Sequence, residues 1–350
     1  WQARDRNTYF QHLFTMSKNA KIREVALHFI PVEMRVPLKF GAQVLDSVTC
    51  ARARVVVEGE NGRTAEGWGE TPLSVAWVWP STIDYENRHD ALKQFTINLA
   101  AALNEFGENG HPIELGHDFI KYRLYQLQDE FNATRSDEGA LPHLAALVCF
   151  SLLDIAVHDA YGHLHERPIY STYNSEFLSR DLGSFLKPSA EQVSFDGVFP
   201  SDFLTYTPRL QLPVWHLVGG LDPISEDELT GDEPDDGYPV LLRDWIQQDG
   251  LDCLKIKLRG NDSKWDYDRV SKIGQICKDK DVSWLTTDFN CTVTDPAYVN
   301  DILDRLKIDD PVTYQKILYV EQPFPYDLEA NQIDVRSVSA RKPLFMDESA

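Results

Sequence analysis

Three short segments near the end of this chain each close in a carboxylate: WLTTDFN with Asp288, ILYVEQP with Glu321 and PLFMDES with Asp347. Upstream, CLKIKLRG carries Lys255 and Lys257. Each segment is apolar or β-prone and turns polar at its C-terminal end, and the gaps between them hold about one helix each. Successive parallel strands of a (β/α) barrel bring their C-terminal ends to one face. That arrangement would set three acids and two lysines around one point. Three hard oxygen donors suit Mg²⁺, and three massed carboxylates repel one another unless a cation answers them. A lysine beside such a cation suits removal of a proton next to a carboxylate.

Lys255 and Lys257 are two residues apart, so on a strand they share a face, while Leu254, Ile256 and Leu258 mark the opposite face as buried. The alternative is an exposed edge strand with solvated lysines. Burying two ammonium groups together is costly unless anions pair with them. A like charge and a metal both disfavour the ammonium form, so one lysine is expected to lose its proton and act as a base. Its neighbour would stay charged and hold a substrate carboxylate. Any one of the acids alone would read as a helix cap or a surface carboxylate; all three in register after strands read as one site. Asn290 is placed on the face of Asp288, steadying the metal site or its water. Gln322 and Glu348 are expected to point outward, in supporting or helix-capping positions. Removing a proton α to a carboxylate gives an enediolate, whose charge Mg²⁺ and an ammonium group would stabilise where it develops.

Residues 1–20 read as an N-terminal extension. From Lys21 the texture is strand-like, and ARARVVVEGENGRTAEGWGET alternates around an Asn61-Gly62 turn, a hairpin signal. Helical spacing follows in ENRHDALKQFTINLAAALNEFG and LGHDFIKYRLYQLQDEFNA, then in LPHLAALVCFSLLDIAVHDAYGHL, the most apolar of the three. This gives an α+β domain over 21–165. Residues 166–212 show no clear period and read as a linker with an insertion. The acidic loop SEDELTGDEPDDGYP reads as a solvated surface excursion. Over 213–350 strands and helices alternate, which means a parallel sheet with right-handed crossovers. Five strands are visible, enough for an open doubly wound sheet or the first part of an eight-stranded barrel. No glycine-rich phosphate loop follows any of them.

The chain has 350 residues and a formal net charge of −21, with 43% hydrophobic and 25% charged residues. That charge argues against a nucleic-acid partner, which needs a basic face, and against an anionic membrane surface. No apolar run is read as reaching the roughly 18 residues of a membrane span. Cys50, Cys149, Cys253, Cys277 and Cys291 are scattered with no CxxC pair, which suits a reduced, cytoplasmic setting. The ten histidines show no metal-binding spacing; His216 reads as a packed or capping residue. No serine sits in a GxSxG elbow.

The KIK, DFN, EQP and DES segments resemble those of the enolase superfamily, in its mandelate racemase/muconate lactonizing enzyme group, a lysine-and-Mg²⁺ arrangement of known type. The resemblance extends to VVVEGENGRTAEGWGET and SLLDIAVHDAYGHLHERPIY in the first domain. It implies an α/β fold, a (β/α) barrel of the modified TIM type, incomplete in this chain, behind an N-terminal α+β capping domain. It further implies Mg²⁺ held by Asp288, Glu321 and Asp347, Lys257 as the base and Lys255 as its partner. The substrate would be a small-molecule carboxylate, the reaction a cycloisomerisation or a racemisation or epimerisation, and the protein a homo-oligomer. Asp347 within DES is more similar to the muconate lactonizing branch, which places a second lysine on the sixth strand. An acid-sugar dehydratase and a non-catalytic metal-binding barrel are the alternatives. The chain stops at Ala350, after the fifth strand, and lacks an initiator methionine, so the natural protein is expected to continue. The specificity loops of the group fall on GAQVLDSV (41–48) and ETPLSVAWVWPS (70–81), where Trp77 and Trp79 either meet substrate or bury as core.

Overall fold

The computed structural model describes residues 18–40, 43–135, 139–205 and 207–349. Most of the expected N-terminal extension, and Gly41 and Ala42 of the 41–48 segment, lie outside them. The chain forms two compact units. The first comprises residues 1–30 and 50–207, the second 31–49 and 208–350. Strands β1 (Ala20–Phe40) and β2 (Gln43–Gly59) contribute residues to both.

In the first unit, β2 pairs antiparallel with β3 (Thr64–Pro72), and β4 (Asn109–Gly110) pairs with the start of β1. The Asn61-Gly62 hairpin turn forms as expected, with Gly62 at φ +76°, a value open to glycine at little cost. Alternation along β2 buries Ala51, Ala53, Val55 and Val57 and leaves Arg52 and Arg54 to pair across the hairpin with Glu70 and Glu66. The helix His143–Leu164 lies directly on β3. Gly67 and Gly69 permit this: a Cβ at either would strike the backbone of Ala160, Ala156 or Leu152. This helix corrects one expectation from sequence. It is long and apolar enough to cross a membrane, with a mean hydropathy of 1.6 over its best window, yet 61% of that window is buried inside the protein. Leu152 and Leu153 are among its fully buried side chains, each contributing roughly 1.5–3 kcal/mol by leaving water. Trp79 is buried in this unit's core and Trp77 packs against it. Residues beyond 166 fold back here too: Glu114 Oε1 accepts from the Ser179 and Arg180 amides, each at 2.8 Å.

The second unit is built on a five-stranded parallel sheet in the order β5-β6-β7-β8-β9. The strands are Trp215–Val218, Cys253–Lys257, Trp284–Asp288, Ile317–Glu321 and Leu344–Phe345. Spatial order equals chain order, with no reversal of the kind a doubly wound sheet requires. This is the order of a partial (β/α) barrel. Helices Ser263–Asp279 and Pro296–Asp309 follow β6 and β7 and cover the face carrying Leu254, Ile256, Leu285 and Val320, all buried. The acidic loop is exposed, as expected, and is also tied down by ion pairs. Asp236 takes a two-pronged grip on Arg35, at 2.6 and 2.7 Å, and Glu228 meets Lys272 at 2.5 Å. Charge-assisted, bidentate pairing of this kind gives the loop a fixed course.

Candidate active site

Register decides which side chains meet. Lys257 is paired with Asp288, Asp288 with Glu321, and Glu321 with Phe345. One irregularity makes this possible. Leu285 pairs with Ile317, but Thr286 pairs with Tyr319, so Leu318 is an extra residue in β8. A one-residue shift turns every later side chain to the other face. The bulge therefore leaves Ile317 and Val320 in the core behind the sheet and puts Tyr319 and Glu321 on the lysine face.

The two lysines share that face, as expected. Lys255 Nζ lies 2.5 Å from Glu321 Oε1 and 3.1 Å from Asp288 Oδ2, and Lys257 Nζ lies 2.5 Å from Asp288 Oδ2. Lys257, Asp288 and Glu321 are buried. Two cations and two anions thus neutralise one another at the strand ends. Burial opposes the ammonium form of Lys255, but the Asp288 charge and the Glu321 hydrogen bond outweigh it and raise its pKa above the ordinary lysine value. That direction suits the charged partner expected beside the base, because two carboxylates answer the Lys255 ammonium. Burial pushes the Glu321 carboxyl upward, as does the charge of Asp288, against the pull of Lys255.

The remaining predicted residues sit differently. The Asp347 side chain is exposed, because β9 ends at Phe345 and the chain bends away. Among the described residues no group of three or more His, Cys, Asp or Glu side chains is arranged to hold a metal ion. Asn290 does not continue the strand face. Strand β7 stops at Asp288, and Asn290 and Cys291 have φ of +48° and +62°. The contact with Asp288 is made by the Asn290 backbone, whose N–H donates to Oδ1 at 2.9 Å. Gln322 and Glu348 are buried rather than outward-facing. Glu348 lies against Cys291, whose thiol is pushed upward by burial and by the nearby charges of Glu348 and Asp288. His216 packs on Trp245 with ring centroids 5.7 Å apart.

Sequence reasoning passed over the aromatic side chains of this face. Tyr319 lies between Trp215 and Phe345, with centroids 6.2 and 5.2 Å away. The signal was available: Tyr319 is two residues before Glu321. Phe40, from the 31–49 arm of the same unit, is buried and has Lys257 Nζ 5.8 Å from its ring centroid, within cation–π range. A separate cavity of about 640 Å³ is lined by Met34, Val36, Leu217 and Trp245 with Glu228 and Glu233 at its wall; none of the four ion-paired residues lines it.

The donor chemistry present fits Mg²⁺. Mg²⁺ is commonly held by one or two carboxylates, the rest of its shell coming from water and substrate oxygens. Asp288 and Glu321 supply two such groups, and a cation, the Lys255 ammonium, already bridges them.

No protein-family model and no curated protein matches the chain in sequence. Solved structures do match in fold. The L-Ala-D/L-Glu epimerase of Bacillus subtilis, solved as a substrate-liganded complex, aligns with a TM-score of 0.54 at 17% identity, over 94% of this chain and 68% of that one. A dipeptide epimerase of Enterococcus faecalis, solved with Mg and the dipeptide L-Leu-L-Tyr, aligns at 0.52 and 17% identity over the same shares. A mandelate racemase/muconate lactonizing protein of Herpetosiphon aurantiacus aligns at 0.53 and 15% identity, again over 94% and 68%.

Proposed function

We propose that this chain, which has the fold of the enolase superfamily's mandelate racemase/muconate lactonizing group, removes the α-proton of a small carboxylate substrate with Mg²⁺ as its cofactor. The single observation that carries the reading is the strand-end cluster: Lys255 bridges Asp288 and Glu321, and Lys257 sits 2.5 Å from Asp288. Asp288 and Glu321 are the residues that would hold the ion, with Asp347 as the third donor. Bound there, Mg²⁺ would replace the ammonium groups as countercharge to the acids and take up negative charge developing on the substrate carboxylate.

The chain's own residues supply the remainder. Lys257 is buried, covered by Phe40, and stands at the rim where β6 ends; it is the base. Lys255 is the more exposed of the two amines and is held charged by its carboxylates, which suits it to orient a substrate anion. The Asn290 N–H fixes the Asp288 carboxylate. Trp215, Tyr319 and Phe345 supply an aromatic surface on the lysine face. Epimerase or racemase chemistry is the favoured outcome, with cycloisomerisation second, since two of the similar structures are epimerases. Dipeptides are the first substrates to screen. The cysteines are free thiols, the state a reducing cytoplasm maintains, and we place the protein there.

The test is solvent deuterium exchange at the substrate α-carbon, read by NMR across a panel of carboxylates and dipeptides with Mg²⁺. Exchange needs one base only. Lys257→Ala should lower the rate by at least about 100-fold, the usual contribution of a positioned general base, with the fold intact. An unchanged rate would remove Lys257 from the reaction.

A further inference from the structure

The loop between β5 and the helix Leu242–Asp249 carries the acidic stretch SEDELTGDEPDDGYP, and the proposed reaction makes no use of it. With residues 34–38 of β1 and with β5, this loop walls the cavity of about 640 Å³, and every residue of the lining belongs to the second unit. An apolar cavity of roughly this size with a few fixed polar groups is the ordinary form of a small-molecule site. Met34, Val36, Leu38, Leu217, Leu221 and Trp245 give it an apolar floor. The guanidinium in the lining, Arg35, is already engaged. It donates to both Asp236 oxygens at 2.6 and 2.7 Å, and to the carbonyls of Pro239 and Tyr238 at 3.1 and 3.2 Å. His216 stacks on Trp245, and burial holds its pKa below the ordinary histidine value, so its ring is neutral at pH 7. Carboxylates complete the lining. Glu228 is answered by Lys272 at 2.5 Å and Arg269 at 3.6 Å, and Asp222 accepts from the Gly219 N–H at 2.7 Å. Among the described residues no ion pair engages Asp232 or Glu233. Glu233 is nonetheless fixed: Oε1 accepts from the Thr230 N–H at 2.6 Å and from Thr230 Oγ1 at 3.0 Å, and Oε2 accepts from the Gly231 N–H at 2.9 Å. The bond from the Thr230 N–H leads in holding this carboxyl below the usual carboxylate range.

We propose that this cavity binds a small organic cation with an apolar body, an alkyl- or arylalkylammonium, whose body lies on the floor and whose ammonium group meets Asp232 and Glu233. The lining selects that class in two ways. Wall carboxylates with no basic partner repel an anion, and the one guanidinium that could receive an anion is closed in by its four acceptors. A carboxylate oxygen has two lone pairs, so Glu233 can accept from an ammonium group and keep most of its own bonds. The grip of Arg35 on residues 236–239 sets the loop against β1 before any ligand arrives, which lowers the cost of ordering the site on binding. Lys255, Lys257, Asp288 and Glu321 are absent from the lining, so this binding does not depend on the proposed reaction.

The experiment uses the full chain in chelator at pH 7 and low salt, with hexylammonium, butylammonium, 1-hexanol and hexanoate as probes and calorimetry as the readout. Hexylammonium is expected to bind about fivefold more tightly than hexanol, the scale of one exposed ion pair. It should bind about tenfold more tightly than butylammonium, because two further methylene groups leave water. Hexanoate should bind more weakly than hexanol. The double variant Asp232→Asn/Glu233→Gln should abolish the preference for hexylammonium over hexanol, and its amide oxygens still accept from the Thr230 turn. Val36→Trp fills the cavity from a side chain 37% exposed and keeps every charge. It should weaken hexylammonium and hexanol alike by at least about tenfold, since the alkyl chain then stays in water. It thereby separates this site from diffuse attraction to a chain of net charge −21. Should Val36→Trp not fold, Leu221→Trp, at a side chain 52% exposed, takes its place. Hexanoate or butylammonium binding as tightly as hexylammonium, a preference that persists in the double variant, or wild-type affinity in the cavity-filled variant would overturn the inference. So would a wild-type chain that gives no heat of binding with millimolar hexylammonium.

Discussion

Lys257→Met is the sharpest probe of the strand-end cluster. Asp288 is 1% exposed, and two ammonium groups answer it, Lys257 at 2.5 Å and Lys255 at 3.1 Å. Methionine keeps much of the side-chain volume and removes the nearer charge. Stripping a buried charge of its whole partner costs about 3–5 kcal/mol. Here Lys255 and the Asn290 N–H remain, so the expected loss is roughly half of that, about 2 kcal/mol. In a unit of this size 1 kcal/mol moves the midpoint by about 2–4 °C, so the transition of the second unit should fall by about 4–8 °C.

Adding Asp288→Asn to Lys257→Met removes the stranded charge. Most of the lost stability should return, because removing both partners of a pair is far milder than removing one. The assay is thermal unfolding in chelator and then with Mg²⁺. Saturation at about 100 times Kd adds about 2.7 kcal/mol. That gain should be larger in Lys257→Met, whose carboxylate no longer shares itself with an ammonium group, and smallest in the double variant. A Lys257→Met protein as stable as wild type in chelator, or a double variant less stable than the single, would refute the ion-pair account.

Two further outcomes follow from the same geometry. Glu321→Gln should weaken Mg²⁺ binding by at least about tenfold, on the scale of losing ligand support, and calorimetry giving wild-type affinity would remove Glu321 from the donor set. The first unit should be acid-labile: burial, with lesser effects of His158 and His165, lowers the His111 pKa from 6.5 to about 3. Its neutral ring accepts from the Ile113 N–H and bonds Thr172. The unfolded chain takes up this proton first, so the contribution is complete above pH 6.5 and is lost as pH falls toward the folded value. The loss is about 1.4 kcal/mol per pH unit, hence about 2 kcal/mol near pH 5. Urea midpoints that stay flat between pH 7 and 5 would contradict it.

Much of this architecture was legible because it depends on short-range pattern. Alternation around Asn61-Gly62 gave the hairpin, and the apolar stretch of residues 143–164 gave the core helix. The strand–helix rhythm after Pro213 gave the parallel sheet, and the i, i+2 spacing of Lys255 and Lys257 gave their shared face. What escaped the sequence depends on where a strand stops. Treating DFN and DES as continuing strands put Asn290 and Asp347 on the site face by parity. The chain leaves β geometry at Asp288 and at Phe345, and parity lapses with it. The ion pairs of the amines escaped for a similar reason: the two lysines can be seen in KIK, but the carboxylates that pair with them arrive from residues 31 and 66 positions away.

The bulge at Leu318 is the deepest of these gaps. Read as a regular strand, ILYVE shows Ile317, Tyr319 and Glu321 on one face, with Leu318 and Val320 on the other. The structure instead buries Ile317 and Val320 together behind the sheet and turns Tyr319 and Glu321 forward. The hydrophobic demand of the core is met on both sides of the irregularity, and the extra residue absorbs the mismatch. Had β8 stayed regular from Ile317, Glu321 would face the buried helix layer, where an unpaired carboxylate is costly, and Val320 would stand opposite Asp288 on the lysine face. The ionic cluster therefore rests on a backbone irregularity that places one acid, and its cost is offset by the Lys255 ammonium that acid pairs with. Core packing and site chemistry thus select the same register, and neither is visible in ILYVE alone.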